Sequence, residues 1–356
     1  MSKSFNLLVV VSNYQFDWVE FFEGKKIKDI PIHVKQATWP DLVNVSYQEK
    51  KISQSSVNVS IKGINSGKFK QEPENCFKVD FVLFRSVARG HYTQDARNFL
   101  YTFMHGGIPT VNSIESIWMN IEKPISYGIM NRIKQKVGFE NFPLIEQTYW
   151  PIYTQMTFAP SPPYVLKYGG ANAGYGKLLV DSNKSNLRDY AGLMAMTPLY
   201  CCCEPFIKYD HEIRIQKIGN NFRALKRVSS YWKGNVGNTA IVEEVDMKEK
   251  WKNWIIWTSD EFNGLDICAM DVLVTKDGDE FILEINDTAI GLSNKLHDID
   301  SGYIRDLVLE RMEEKLLTKD LSPKDQLKLE IEKLKSQKKE MEEKIKKLES
   351  TLKKTK

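Results

Sequence analysis

Dense apolar runs separated by helical texture organise the first hundred positions. "FNLLVVVS", "IPIHVKQAT" and "VDFVLFRS" read as strands buried on both faces, because their apolar residues do not alternate with polar ones. "TQDARNFLYTFMHGG" has helical spacing, with a Thr N-cap and a glycine stop. Strands alternating with helices predict an open α/β layer. No GxGxxG follows the first strand, so a dinucleotide site there has no support.

From about Asn112 the pattern changes. "PYVLKYGG", "GKLLVD", "LYCCCEPFI", "HEIRIQKIG" and "FRALKRVSS" are short strands punctuated by glycine and polar turns, which predicts antiparallel pairing. "AMDVLVTKDGDEFILEIND" is the clearest hairpin, two β-rich arms around Lys276-Asp277-Gly278-Asp279, where Gly278 supplies the positive φ of the turn. Between them "MKEKWKNWIIWTSDEF" reads as an amphipathic helix. A third texture begins after Ser322-Pro323. Leu327, Leu334, Met341 and Leu348 recur every seven residues, and Ile331, Ile345 and Leu352 fill the other seam position, which Lys338 interrupts. That is a coiled-coil pattern of roughly three and a half heptads, offered to a second copy or to another protein over 324–352. The expected domains are therefore 1–111, 112–320 and 321–356.

Composition narrows the class. At 356 residues, 42% of them apolar and 27% charged, the chain has the balance of a two-domain globular protein and not of a disordered one. The net charge of +4 is concentrated in the tail, where residues 322–356 carry twelve Lys against seven Asp and Glu. The remainder is near neutral, so nucleic acid is not expected as a partner. Cys201, Cys202 and Cys203 are consecutive; neighbours in a strand point to opposite faces, so buried, reduced thiols are expected rather than a metal site or a disulfide framework. The apolar run near the N-terminus is too short for a signal-peptide core or a transmembrane span, so a cytoplasmic protein is expected.

The candidate chemistry starts with "KYGGANAGYGK", Lys167 to Lys177. Ala171 and Leu178 break the GxxxxGK[ST] pattern, and no third glycine completes GxGxxG. Its setting is strand, loop, strand, which suits a flexible hairpin whose backbone amides close over an anion. Downstream, "FILEIND" puts Glu284 and Asn286 on one strand face, and Asp271 lies on the partner strand of the hairpin. Two carboxylates and an amide oxygen on one sheet face form an all-oxygen set suited to Mg²⁺ or Ca²⁺. Acids inside such apolar strands need a cation.

"EPFIKYDHEIRIQKIGNNFRAL", "GLDICAMDVLVTKDGDEFILEIND" and "KYGGANAGYGK", with "GGIPTVNSIESIW", "EKPISYGIMNRI" and "FPLIEQTYWP" upstream, resemble the ATP-grasp core of the synapsins from about Phe5 to Leu317. The resemblance implies a pre-ATP-grasp α/β domain followed by an α+β ATP-grasp fold, with the coiled-coil helix appended. It implies ATP with Mg²⁺ or Ca²⁺ as ligands. Lys123 and Lys167 would contact phosphates, and Gly174, Tyr175, Gly176 and Lys177 would form a lid. Glu204 and Ile207 would meet adenine, Glu212 would lie near the ribose, and Arg214 and Arg223 would point to the phosphate or acceptor side. Asp271, Glu284 and Asn286 would hold the metal. A homodimer through the globular core, and peripheral association with vesicles or cytoskeleton, also belong to what the resemblance implies. "EIND" carries an asparagine typical of catalytic ATP-grasp ligases, whereas Ala269 stands where D-alanine ligases carry an arginine. The sequence thus supports a nucleotide-regulated scaffold, with an ATP-dependent carboxylate–amine ligase as the alternative.

Overall fold

The computed structural model describes residues 4–48, 55–61, 76–90, 95–158, 160–171, 174–181, 187–196, 199–229, 232–233 and 241–317, with helical positions scattered between 324 and 342. Two compact units divide the chain, residues 1–308 and 309–356.

The first apolar run forms β1 (Phe5–Val11), followed by the short α1 (Trp18–Phe21), β2 (Lys26–Ile27), β3 (Ile30–Thr38), β4 (Leu42–Gln48), β5 (Ser55–Ile61), β6 (Cys76–Val79), β7 (Phe81–Arg85), α2 (Arg97–His105) and β8 (Thr110–Val111). One sheet has the order β2-β3-β1-β7-β8, and β4-β5-β6 form a second. β1 runs parallel to both β3 and β7. Two covered faces explain why β1 and β7 are continuous apolar runs. β3 departs from the expectation: only Ala37 in it is buried. Its outer neighbour is the two-residue β2, so most of its length lies at the sheet edge. α2 also begins later than expected. Its N-cap position is Ala96, which makes no side-chain cap; the expected cap, Thr93, lies outside the described residues. Asp95 Oδ1 accepts from the Arg97 N–H at 3.1 Å instead.

The middle of the chain contributes α3 (Ile114–Asn120), α4 (Lys123–Val137), β9 (Thr148–Trp150), β10 (Tyr164–Tyr168), β11 (Lys177–Val180), α5 (Leu187–Ala195) and β12 (Cys201–Pro205). A small antiparallel sheet has the order β11-β10-β12-β9. Its core holds Leu166, Val180, Met194, Cys201 and Cys203. Cys201, Cys202 and Cys203 are all buried and unpaired, and burial pushes the Cys202 thiol up to about 11.

The remaining elements of the first unit are β13 (His211–Ile218), β14 (Asn221–Val228), β15 (Ile241–Val245), α6 (Glu249–Glu261), β16 (Ile267–Val274) and β17 (Glu280–Asn286), and α7 (His297–Leu317) passes from one unit into the other. The second large sheet runs β15-β14-β13-β16-β17, antiparallel throughout, as the glycine-punctuated runs predict. Gly278 takes φ +88° in the β16–β17 turn. One face is apolar: Ile213, Ile215, Met270, Val272 and Ile282 pack with Trp251 and Trp254 of α6 and Ile129, Met130 and Ile133 of α4. The other face carries the polar residues of these strands.

Two polar ties connect the first sheet to this one. Asn112 is fully buried; its Oδ1 accepts from the Ile267 N–H at 2.6 Å and its Nδ2 donates to the Ile267 carbonyl at 2.7 Å. Arg85 at the end of β7 donates to the carbonyls of Thr288 and Ile290, and Thr288 Oγ1 donates to the Phe84 carbonyl. The loop after β17 is thereby held to the parallel sheet.

Candidate functional site

The small sheet and the polar face of the large sheet line a cavity of about 580 Å³ and a smaller one of about 70 Å³. Lys167, Arg227, Asp271 and Glu284 line both. β-sheet geometry alone puts the key residues here. Register sets Glu212 opposite Leu273 and Arg227, Arg214 opposite Asp271, and Asp271 opposite Glu284, with a bulge beside that last pair. Asn286 pairs with Ala269 one step along the same face. The expected trio of Asp271, Glu284 and Asn286 therefore does share one face, and all three line the larger cavity.

The structure also supplies cations for the two acids. Arg214 NH1 donates to both oxygens of Asp271 at 3.0 and 3.2 Å, and Arg227 NH1 lies 3.5 Å from Oδ1. Asn286 Nδ2 donates to Asp271 Oδ2 at 3.0 Å. Lys123 Nζ, at the first turn of α4, donates to Glu284 Oε2 at 2.8 Å. Burial raises the Glu284 carboxyl, but Lys123, Lys177 and Lys167 outweigh it and hold it well below the usual carboxylate range. The inference from buried acids to a metal thus has a second answer in protein cations. Among the described residues no three His, Cys, Asp or Glu side chains converge as a metal site. The donor set still suits a hard divalent ion, since two carboxylates and an amide oxygen face one cavity and a phosphate would complete the shell.

Lys167 and Glu204 form a buried pair, Nζ to Oε1 at 2.5 Å. Burial lowers the ammonium and the Glu204 and Glu284 charges more than reverse this, so its pKa is raised. Lys177 sits opposite Lys167 across β10 and β11. Glu284 raises it, but burial and the charges of Lys167 and Lys123 prevail and its pKa is lowered. Three lysines thus share two glutamates, Glu204 and Glu284, which leaves an excess of positive charge at the mouth of the hairpin. Within that hairpin, Tyr168 N–H donates to the Gly176 carbonyl at 2.9 Å. Gly174 lines the smaller cavity and Tyr175 is exposed. Asn172 and Ala173 lie outside the described residues.

Ile207, Glu204 and Glu212 line the smaller cavity with the apolar Val165, Phe206 and Leu273 and with charged groups that include Lys167, Lys177, Arg227, Asp271 and Glu284. Burial raises the Glu212 carboxyl although Arg227 opposes it. Arg223 is on the same sheet face but further along. It binds buried Asp300 of α7 at 2.9 Å and also Glu244, and it lines neither cavity. The segment Arg227 to Ala240 that follows β14 is described only in part: Ser230, Tyr231 and 234–240 lie outside the described residues. Arg227 itself escaped the sequence reading, though counting outward from the Gly219-Asn220 turn pairs it with Glu212. Tyr200, which accepts the Lys123 N–H at 3.3 Å and donates to Glu122 at 2.8 Å, left no sequence signal.

The model of the synapsin ATP-binding domain matches residues 112–314, and that of the synapsin pre-ATP-grasp domain matches residues 1–110. The chain belongs to the synapsin family. Synapsin of Drosophila melanogaster is 33% identical over 313 residues, 86% of this chain and 30% of that protein; the chain therefore spans less than a third of this relative's length. Among solved structures, the ATP-grasp ligase PsnB complexed with a minimal precursor superposes with TM-score 0.56 at 16% identity, covering 86% of this chain and 98% of that one. The same ligase with precursor variant, Mg and ADP gives 0.54 at 14%, with the same coverage. The macrocyclase MdnC with its precursor peptide, from Microcystis aeruginosa MRC, gives 0.53 at 12%, covering 86% and 98%. At these identities the likeness establishes the fold: a pre-ATP-grasp domain followed by an ATP-grasp domain of this synapsin-family chain. Among the described residues no helix is long and apolar enough to cross a membrane.

Proposed function

We propose that this synapsin-family chain binds ATP with a divalent cation in the cleft between its small and large antiparallel sheets, and that the nucleotide regulates a scaffold. The observation that carries this is the gathering of Lys123, Lys167 and Lys177 about Glu204 and Glu284 at one cleft. Three ammonium groups against two carboxylates leave positive charge that a polyphosphate would neutralise. The apolar side chains of Val165, Phe206, Ile207 and Leu273 in the smaller cavity suit a purine ring, and Glu212 in the same lining suits ribose hydroxyls. Asp271, Glu284 and Asn286 would hold Mg²⁺, the ion named with ADP in the ligase relative; Ca²⁺ fits the same oxygen donors. Bound there, the metal would supply charge neutralisation of the phosphates. Lys123 and Arg214 would move from these carboxylates to phosphate oxygens. The hairpin 167–177 would close over the phosphates, and a ligand favours that state only by its differential affinity for it. Calorimetric titration with ATP and MgCl₂ or CaCl₂ tests the reading: micromolar or tighter binding is expected, and absence of heat and of a thermal shift with either ion overturns it.

A ligase reading has its own observation. The larger cavity runs past Asp271 and Glu284 to Val87, Arg89, Asn120, Ile290 and Ser293, a chamber adjoining the phosphate end where an acceptor would sit. A carboxylate would take the γ-phosphoryl group, releasing ADP, and an amine would then displace phosphate. ADP formation across a panel of carboxylates and amines, abolished by Glu284→Gln, separates this reading from the scaffold.

A further inference from the structure

Tyr200 stands just before β12, where three parts of the first unit meet. Its carbonyl accepts the Gly169 N–H at 2.9 Å, at the base of the 167–177 hairpin. Its ring centroid lies 5.8 Å from that of Tyr149 on the neighbouring strand β9. Its hydroxyl reaches the start of α4, accepting the Lys123 N–H at 3.3 Å and donating to Glu122 Oε2 at 2.8 Å. The other Glu122 oxygen is held from the α/β layer by Arg89 and by Arg97 NH1, the latter at 3.6 Å. We propose that Tyr200 is a positioning residue that holds Lys123 where its ammonium meets Glu284 and, when nucleotide binds, a phosphate. This rests on the nucleotide reading above and adds to it a residue that itself lines neither cavity.

The hydroxyl fills both of its hydrogen-bonding roles. Burial pushes the phenol up to about 12, so it keeps its proton at neutral pH, and that proton goes to Glu122. A lone pair is left for the Lys123 N–H. That N–H opens α4, where the first amides find no acceptor within the helix. Glu122 precedes the helix without capping it through its own side chain, and Pro124 has no N–H to cap. Tyr200 is therefore the cap, supplied from another element. With its backbone fixed in this way, Lys123 places its Nζ 2.8 Å from Glu284 Oε2. A lysine side chain is long and flexible, and holding its backbone removes part of the disorder that a phosphate would otherwise have to overcome. Glu122 carries the same restraint to the α/β layer, so the cleft lysine is set by the hairpin base, by α4 and by the first domain together.

Two measurements on the full chain test this. Tyr200→Phe keeps the ring beside Tyr149 and the carbonyl on Gly169, and removes both hydroxyl bonds. Hydrogen exchange followed by mass spectrometry is expected to quicken in the peptide covering 121–126 and to stay unchanged in β1 and β16. Unchanged exchange at 121–126, or acceleration throughout the chain, overturns the proposal. Calorimetric titration with ATP and MgCl₂ gives the second arm. Tyr200→Phe is expected to weaken binding about tenfold and Lys123→Ala to weaken it more. The double variant is expected to bind no worse than Lys123→Ala alone, because Tyr200 acts through Lys123. A full further loss in the double variant marks an independent structural effect and overturns the proposal. Unaltered binding in Tyr200→Phe, with ATP still bound by the unsubstituted chain, overturns this inference alone. An unsubstituted chain that binds no ATP overturns the nucleotide reading and this inference with it.

Discussion

Asp287 sits beside the predicted metal residues, and burial pushes its carboxyl up to about 6, against the backbone N–H of Ala289 and the Arg85 guanidinium, which lower it. Burial likewise lowers Arg85 to about 10, with Asp287 opposing. The folded chain keeps the Asp287 proton above the ordinary carboxylate range, so this group favours folding at acid pH. Its contribution is lost as pH rises from about 4 through 6. Asp287→Asn keeps an acceptor for the Ala289 N–H and removes the titration. The expected result is a gain of about 2 kcal/mol at pH 8 and a flatter stability profile between pH 4 and 6, read from denaturant midpoints across that range; an unchanged profile would refute the assignment. In the sequence Asp287 was only the end of "EIND". Its raised pKa comes from burial in the packed fold, which Arg85, two hundred residues away, only partly offsets; no local pattern reveals either.

Elements make their own predictions where two of them meet. Gly176 closes the β10–β11 hairpin at φ +67°, and an added Cβ would lie 3.2 Å from the Tyr168 carbonyl and 3.3 Å from the Ala171 Cβ. Gly176→Ala is expected to cost about 1–2 kcal/mol of stability and to weaken ATP binding about tenfold, because the lid backbone can no longer approach the phosphates. Calorimetry on the variant checks both. Asn112 joins β8 to the start of β16, satisfying both polar groups of Ile267 while itself fully buried. Asn112→Ala leaves a buried N–H and C=O unpaired, so a loss of about 2–4 kcal/mol is expected, measured as a lowered urea midpoint at unchanged slope. The strands of the large sheet were legible as alternating or apolar runs, and the hairpin register follows from its turn as far as Val272 and Ile282, beyond which the bulge shifts it by one residue. The long joins were not, since Asn112 and Ile267 are 155 residues apart.

For the whole molecule, a cleft that takes ATP·Mg²⁺ in the native state alone must stabilise the fold by mass action. At a hundredfold excess over Kd the gain is about 2.7 kcal/mol, a rise in Tm of roughly 4 °C for a core of this size. A chelator should abolish most of it. A shift that persists undiminished in chelator would remove Asp271, Glu284 and Asn286 from the metal's account and leave the lysines to bind nucleotide alone. Arg223 should be silent in this assay, as its guanidinium is bound to Asp300 and Glu244.

What the sequence determined by itself is local: the strand and helix runs, the β16–β17 turn, the heptad spacing, and the shared strand face of Glu284 and Asn286 that follows from a period of two; the bulge that sets Asp271 opposite Glu284 came from the fold. It also carried the family, through motifs dispersed over nearly the whole globular part. Tertiary structure decided what those residues face. Lys123 reaches Glu284 across 161 positions, Lys167 is buried against Glu204, Arg227 joins the cleft, and Arg223 leaves it for α7. The physical reason is that backbone propensity and side-chain periodicity act over a few residues, whereas a charge inside a cleft is settled by whichever opposite charge the packed sheets bring within a few ångströms.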